Sequence, residues 1–336
     1  MAARGGLWLI YALGGGWGHL TRAAALALAA LPRHRIRILT NSPYADRVRA
    51  TLPELDFVVL DSSLPIKRAR RETIGQIHAA NPECLIVDTF PRGLGGELPE
   101  SLAALAATKV LVHRDLNPEY VAESNLHSFV ASNFDLVLIP GEGEGAAFND
   151  LPAAAITQPW LVRDPQPRSR IGDTLRVVVC ASGNSAELAW YGQAVLSLRT
   201  LDPGLDICCV APARPPGCPE DCWVEHWPAS DLYSTADAVI GGAGYNIIHE
   251  CAACQVPLIA RPWPRKYDRQ WMRAGRAINN GWARIVETPM ESAHAAINQM
   301  KQPPMRERAK IRNGARDAVA LIERKVSSPP ATSPVR

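Results

Sequence analysis

The chain has 336 residues, of which 47% are hydrophobic and 21% are charged, and its formal net charge is +3. This length predicts two domains of ordinary size, each large enough to bury its own core. A net charge this small does not favour a nucleic-acid-binding protein, because such proteins carry a clear basic excess.

The densest positive charge is a basic run at residues 67–71, KRARR. The run has no aromatic neighbours on which bases would stack, so it predicts the solvated start of a helix. Peripheral contact with anionic lipid is the alternative interpretation. The sequence shows neither a secretory signal nor an apolar stretch of the roughly 20 residues that cross a membrane, which predicts a cytoplasmic protein.

Eight cysteines raise the question of a disulfide or metal site. Most of them fall in apolar strand-like segments, which is typical of reduced core residues. The alternative is a four-thiolate zinc site built from Cys218, Cys222, Cys251 and Cys254. We expect packing rather than ligation, and therefore neither a metal nor another cofactor.

In the first half of the chain, short apolar segments alternate with amphipathic stretches such as 21–31 and 100–107. The predicted strands are 7–13, 35–41, 57–61, 84–88, 109–113 and 136–140. Apolar strands joined by helices indicate a parallel sheet covered on both faces. A Pro- and Arg-rich segment then breaks the pattern at 158–173.

The same alternation restarts in the second half. Its predicted strands are 175–181, 206–211, 223–227, 236–241, 256–261 and 283–287, followed by a final helix at 306–325. The sequence thus predicts a first domain at 1–160, a linker at 161–173, a second domain at 174–326 and a disordered tail at 327–336. The expected fold class is α/β, with two Rossmann-like domains facing a central cleft where ligands bind.

The first motif is GGGWGH at residues 14–19, between a strand and a helix. Glycines allow close approach of a ligand, and a helix start favours an anion, so we expect Gly15, Gly16 and Gly18 to contact a donor phosphate. The dinucleotide fingerprint G-x-G-x-x-G fails because its last position is His19. The second strand also ends at Asn41 instead of an acidic residue, which argues against an oxidoreductase.

His19 stands at the end of this glycine-rich segment. A histidine facing a ligand site is suited to general-base chemistry near neutral pH, such as removing the proton of an attacking hydroxyl. A histidine that only satisfies the loop or the helix start is an equally good interpretation of the spacing.

The second motif is GGAGYNIIHE at residues 241–250, again between a strand and a helix. Gly244 and Tyr245 lie at the expected helix start, where N–H groups suit an anion. Asn246 and Glu250 are four residues apart and share a helix face. A carboxylate at Glu250 could accept hydrogen bonds from two adjacent hydroxyls, as on a ribose, although a surface charge is the alternative.

Weaker signals follow other strands. Ser182, Gly183 and Asn184 form a turn that could offer N–H groups to a phosphate or simply cap a helix. Asp268 and Gln270 could hold sugar hydroxyls. On the acceptor side the candidates are Asp88, His113, Arg114 and Asp115, for which a structural ion pair is the alternative.

No D-x-D pair occurs in the chain. A diphosphate leaving group would then be stabilised by helix N-termini and N–H donors instead of a divalent ion. This pattern predicts a reaction that does not depend on a metal.

These motifs resemble those of GT-B nucleotide-sugar glycosyltransferases, and in particular glycosyltransferase family 28, the group of the peptidoglycan N-acetylglucosaminyltransferase. The resemblance covers about residues 7–290, with the motifs in the family's order. It implies that 1–160 is an acceptor-side domain and that 174–326 is a nucleotide-sugar-binding domain. It also implies inversion at the anomeric carbon, His19 as the base and UDP as the leaving group. It also implies that Glu250 binds the ribose, that Asp268 and Gln270 bind the donor sugar, and that the motif beginning at His113 faces the acceptor.

Some positions depart from the family pattern. Gly242, Ala243 and Ile247 stand where many relatives have polar residues near the diphosphate, so phosphate binding would depend on backbone N–H groups and Asn246. Arg114 and Asp115 replace the polar residues of the peptidoglycan enzyme, which argues against a lipid-linked muropeptide acceptor.

The sequence therefore predicts an inverting, metal-independent glycosyltransferase that moves a sugar, such as N-acetylglucosamine or another hexose, from a UDP-sugar to an unknown acceptor hydroxyl. Its partners would be the nucleotide diphosphate sugar and that acceptor, with no nucleic acid. The alternatives are a nucleotide-sugar hydrolase or epimerase of the same fold, or a non-catalytic nucleotide-sugar-binding protein.

Overall fold

The computed structural model describes residues 5–143, 145–166, 174–301 and 311–328. The chain divides into two compact units. Unit 1 is Met1–Val162 with Gly314–Arg336, and unit 2 is Arg163–Asn313. Of the predicted linker, residues 167–173 lie outside the described residues. The same holds for residues 329–336 of the predicted tail and for 306–310 of the predicted final helix.

Unit 1 is built around a seven-stranded parallel sheet. Its elements up to residue 162 are β1 (Leu7–Ala12), α1 (Trp17–Ala30), β2 (Arg35–Thr40), α2 (Ala45–Thr51), β3 (Asp56–Val59), α3 (Ile66–Ala80), β4 (Cys84–Asp88), α4 (Leu98–Ala104), β5 (Thr108–Val112), α5 (Pro118–Glu123), α6 (Leu126–Asn133), β6 (Leu136–Pro140) and β7 (Ala154–Thr157). The strand order is β3-β2-β1-β4-β5-β6-β7. Strands β4 and β6 are buried along their whole length, as expected of a sheet covered on both faces.

Unit 2 has a six-stranded parallel sheet. Its elements are β8 (Arg176–Cys180), α7 (Ser185–Leu201), β9 (Asp206–Val210), β10 (Trp223–Val224), β11 (Ala238–Gly242), α8 (Tyr245–Ala253), β12 (Leu258–Arg261), α9 (Gln270–Asn279), β13 (Ala283–Ile285) and α10 (Pro289–Met300), with 3-10 helices at Glu220–Cys222 and Ala229–Thr235. The strand order is β10-β9-β8-β11-β12-β13. The prediction of two parallel-sheet α/β domains is confirmed.

The last helix, α11 (Ala315–Val326), belongs to unit 1, whereas the sequence placed this segment with the second domain. It packs against α1. The Glu323 carboxylate lies 2.8 Å from His34 Nε2 and 3.1 Å from Arg33 Nε, which ties the helix to the segment after α1. An amphipathic pattern predicts that a helix buries its apolar face, but it does not predict which of the two units that face packs against.

The cysteines of the described residues are unpaired thiols. Cys218 and Cys222 pack in one core cluster of unit 2, whereas Cys251 and Cys254 pack in another. Val177 of β8 belongs to the first cluster, and the next residue, Val178, belongs to the second. Successive residues of a strand point to opposite faces, so the two clusters lie on opposite faces of the sheet. The four cysteines do not meet, so the zinc interpretation is wrong.

No helix among the described residues combines the length and the apolar character that a bilayer crossing requires. The basic run at residues 67–71 lies in the first turns of α3, as the sequence predicted for a helix start.

Candidate active site

The loops of unit 1 that carry the predicted side chains are neighbours. Strand β4 lies between β1 and β5 in the sheet, and all three run parallel. Their carboxyl ends therefore meet at one edge. This places the segments that begin at Leu13, Asp88 and His113 side by side, although they are far apart in the sequence.

His19 contacts Asp88 at this edge. Its Nδ1 lies 2.5 Å from Asp88 Oδ2, and both side chains are buried. Among the described residues, no hydrogen bond joins the other ring nitrogen, Nε2, which leaves it as the nitrogen that can accept a proton. His19 lies in the first turn of α1 and not in a loop, because the helix begins at Trp17, directly after Gly16.

Arg22 is the second partner of Asp88, and the sequence analysis missed it. Its Nε donates to Asp88 Oδ1 at 2.9 Å, and its Nη2 donates to Asp88 Oδ2 at 2.7 Å. Arg22 is fully buried, one turn of α1 after His19. The carboxylate of Asp88 is thus held between a histidine and a forked guanidinium.

These contacts set the protonation states of the group. Burial lowers the pKa of His19; Asp88 opposes this shift, and Arg22 and Arg114 add to it. Burial alone would raise the pKa of Asp88, but Arg22 and His19 together hold it well below its usual range. At neutral pH the pair is therefore a neutral imidazole beside an ionised carboxylate, which is the state a general base requires.

The glycine-rich segment before His19 is shaped by Asn41. The N–H groups of Gly14 and Gly15 donate to Asn41 Oδ1 at 2.9 and 3.1 Å, and Gly16 N donates to Gly14 O at 2.8 Å. A Cβ on Gly14 would overlap the His19 ring, so glycine is required there. The N–H of Gly15 is thus engaged by Asn41 and the N–H of Gly16 by Gly14, while no side chain caps the helix start near Gly18.

The segment after β4 completes the surroundings of His19. The Phe90 ring lies against the imidazole, with the centroids 5.6 Å apart. Thr89 has a left-handed φ of 73°, which is rare for a β-branched residue and is a form of strain found at functional sites. Thr89 Oγ1 accepts from Arg22 Nη2 at 3.1 Å, so the arginine also binds the strained residue.

The predicted acceptor-side residues after β5 have different environments. His113 is fully buried with its ring 4.4 Å from that of Phe148, and Asp115 is also buried. The backbone N–H of Asp115 donates to Glu142 Oε2 at 2.9 Å. Arg114 is only half-buried and acts electrostatically on His19, so the structure brings it to the same edge of the sheet.

In unit 2, the second glycine-rich turn leads into α8 as predicted. Gly244 precedes the first helical residue, Tyr245, and no side chain caps this end. A Cβ built on Gly244 meets open space, whereas one on Gly241 would overlap Ile247. The helix start is therefore open to a ligand, and its N–H groups suit an anion.

Asn246 and Glu250 lie on one face of α8. Asn246 Oδ1 is buried and has no hydrogen-bond partner among the described residues. Glu250 is 8% exposed, and burial, with a smaller effect of Asp231, raises its pKa to about 7. Ionising a buried carboxylate costs free energy, and groups with such raised pKa values cluster at functional sites. Glu250 is therefore a candidate functional residue.

The turn after β8 is a helix cap. Asn184 Oδ1 accepts from Glu187 N at 3.0 Å, and Gly183 has a φ of 126°. Glu187 is buried and forms a two-pronged ion pair with Arg265, whose nitrogens lie 2.5 and 2.6 Å from its oxygens. Ser182 is exposed. The hydrogen-bond acceptor of Asn184 is therefore used by the fold.

The predicted donor-sugar residues shape the segment after β12. Gln270 Oε1 accepts from Trp263 N at 2.9 Å, and Asp268 Oδ1 accepts from Arg273 Nη2 at 2.9 Å. Arg273 Nη1 also donates to Ala243 O at 3.1 Å. This arginine, which the sequence did not single out, links the segment to the glycine-rich turn of α8.

Within the parts of the chain that the structure describes, no group of three or more His, Cys, Asp or Glu side chains is placed to hold a metal ion.

Comparisons of the whole chain give the fold class. No protein-family model and no curated protein matches the sequence. The glycosyltransferase of kitacinnamycin superposes with a TM-score of 0.65 at 18% identity, covering 96% of this chain and 99% of that one. The calicheamicin glycosyltransferase CalG4 gives 0.65 at 16%, covering 98% and 100%. The spinosyn rhamnosyltransferase SpnG, solved with thymidine diphosphate, gives 0.61 at 16%, covering 94% and 99%. The chain has the GT-B fold.

Proposed function

We propose that this protein is a glycosyltransferase that moves a sugar from a nucleoside diphosphate to an acceptor hydroxyl. The observation that carries the proposal is the His19–Asp88 pair. His19 Nδ1 lies 2.5 Å from Asp88 Oδ2, which leaves His19 Nε2 to accept a proton. The GT-B neighbours support it, because they are named as glycosyltransferases.

In the reaction, the acceptor oxygen attacks the anomeric carbon and its proton passes to His19 Nε2. The bond between that carbon and the diphosphate oxygen breaks, and the nucleoside diphosphate leaves. A single displacement of this kind inverts the anomeric centre. Asp88 stabilises the imidazolium as it forms, as a carboxylate does for a histidine base.

Unit 2 is assigned to the donor. The open start of α8 at Gly244 suits the diphosphate, and its N–H groups would stabilise the leaving group without a metal. Glu250 suits the role of accepting hydrogen bonds from the sugar hydroxyls of the nucleoside. Burial deprives its carboxylate of hydrogen bonds from water, and those hydroxyls would replace them.

The identity of the nucleoside is the finer part of the proposal. A carboxylate that accepts from two adjacent hydroxyls favours a ribose, and so UDP, in keeping with the family 28 resemblance. One of the neighbours, SpnG, was solved with thymidine diphosphate, which makes TDP the competing ligand.

Calorimetry with UDP and with TDP tests the donor assignment. Wild-type protein should bind UDP more tightly, and Glu250→Ala should weaken UDP binding by roughly 1–3 kcal/mol, the cost of losing hydrogen bonds to a charged group. Glu220→Ala, at an exposed carboxylate of the same unit, is the control. Unchanged UDP affinity in Glu250→Ala would remove the assignment.

A further inference from the structure

Arg22 is a fully buried cation for which the proposed reaction has no direct use. It is 1% exposed and lies on α1, one turn after His19. Removing a guanidinium from water costs several kcal/mol, which its partners must offset. An apolar residue at this position would avoid that cost, so the arginine is expected to have another role.

The contacts of Arg22 indicate that role. Its Nε and Nη2 bind the two oxygens of Asp88 at 2.9 and 2.7 Å, a planar fork that only arginine offers. Nη2 also donates to Thr89 Oγ1 at 3.1 Å, and Thr89 Oγ1 lies 3.2 Å from Asp88 Oδ2. The carboxylate is held from both sides and cannot rotate away from His19.

We propose that Arg22 is the positioning residue that orients Asp88 and thereby holds the His19 ring with Nδ1 protonated and Nε2 open to the acceptor. The inference rests on the proposed function of His19 as the base. Arg22 acts on His19 in two ways, through the orientation of Asp88 and through its own positive charge.

Arg22 also keeps the base neutral. The charged groups that act on His19 are Asp88 at the end of β4, Arg22 on α1 and Arg114 after β5. A carboxylate alone beside an imidazole favours the protonated ring, which cannot act as a base. Burial and the two arginines oppose this effect and lower the pKa of His19.

The test is NMR titration of the full chain with ¹⁵N-labelled histidine, which needs neither donor nor acceptor. The chain has eight histidines, and His19→Gln assigns the His19 signals. In the wild type, His19 should titrate below 6.5, and its neutral form should carry the proton on Nδ1. In Arg22→Met, the His19 pKa should rise by about one unit or more, and the Nδ1–H tautomer should lose population.

Two further variants separate charge from geometry. Arg22→Lys keeps the cation but not the fork, so the pKa should stay near the wild-type value while the Nδ1–H tautomer still loses population. Arg114→Met removes a neighbouring charge and leaves the fork, so it should raise the pKa without changing the tautomer.

An unchanged His19 pKa and tautomer in Arg22→Met would overturn the inference. If that variant does not fold, an unchanged tautomer in Arg22→Lys overturns it. Failure of the proposed function would appear elsewhere, as sugar transfer that persists in His19→Ala, and would not alter these spectra.

Discussion

Replacing Glu250 by glutamine should stabilise the protein at alkaline pH. Burial raises the pKa of Glu250 to about 7, against 4.5 for the ordinary carboxyl. The folded state therefore holds this proton more tightly than the unfolded state does. The stability that goes with the bound proton is fully present below about pH 4.5, and it is lost as the pH rises to about 7 and above.

The difference of about 2.5 units corresponds to about 3 kcal/mol at 1.36 kcal/mol per unit. Glutamine is neutral and nearly the same shape, so Glu250→Gln avoids this loss. At pH 8 its unfolding transition should lie above that of the wild type by roughly 6–12 °C, at 2–4 °C per kcal/mol for a unit of about 150 residues. At pH 4, below both pKa values, the two should nearly coincide.

Differential scanning calorimetry of the nucleotide-free protein at the two pH values measures the effect. Glu220→Gln removes an exposed carboxylate of the same unit and should melt like the wild type at both. If Glu250→Gln melted at or below the wild-type temperature at pH 8, ionised Glu250 would not destabilise the folded state as its burial implies. The reasoning that marks it as a ligand group would then fail.

Two further predictions concern unit 1. Gly14→Ala should abolish turnover and leave nucleotide binding intact, because the added Cβ would overlap the His19 ring. Gly15→Ala is the control: its Cβ meets open space, but its φ of 66° is strained for alanine. Comparing the two variants separates the effect of backbone strain from that of the overlap with His19. If the exposed start of α3 contacts a membrane, the wild type should sediment with phosphatidylserine vesicles. Replacing Lys67, Arg68 and Arg71 by glutamine should then abolish this sedimentation. Equal sedimentation of variant and wild type, or sedimentation of neither, would reject the contact.

The sequence predicted much of the sheet architecture for a physical reason. Apolar strands joined by helices form parallel sheets, and polar residues at their ends gather at one edge. His19 and Asp88, which the sequence suggested separately as a base and as an acceptor-side residue, meet at that edge. Strand β7 was missed because AAIT is short and rich in alanine, with Ile156 exposed at the edge of the sheet.

The structural residues of the site were harder to find. Arg22 directly precedes the apolar residues 23–31, a position at which a charged residue is ordinary, so the pattern gave no reason to single it out. Asn41 was noticed solely because it is not acidic, yet its side chain holds the N–H groups of Gly14 and Gly15. Such roles depend on contacts between residues far apart in the chain, which neither periodicity nor spacing encodes.

The measurement that tests the central claim most directly is release of nucleoside diphosphate from UDP- and TDP-sugars in the presence of a panel of hydroxyl acceptors. Wild-type protein should form a glycosylated product with at least one acceptor. His19→Ala should lose about 10²–10⁴-fold in rate, the usual contribution of a general base, while nucleotide affinity measured by calorimetry stays the same. Comparable product formation by His19→Ala, or release of diphosphate with no glycosylated product from any acceptor, would contradict the account.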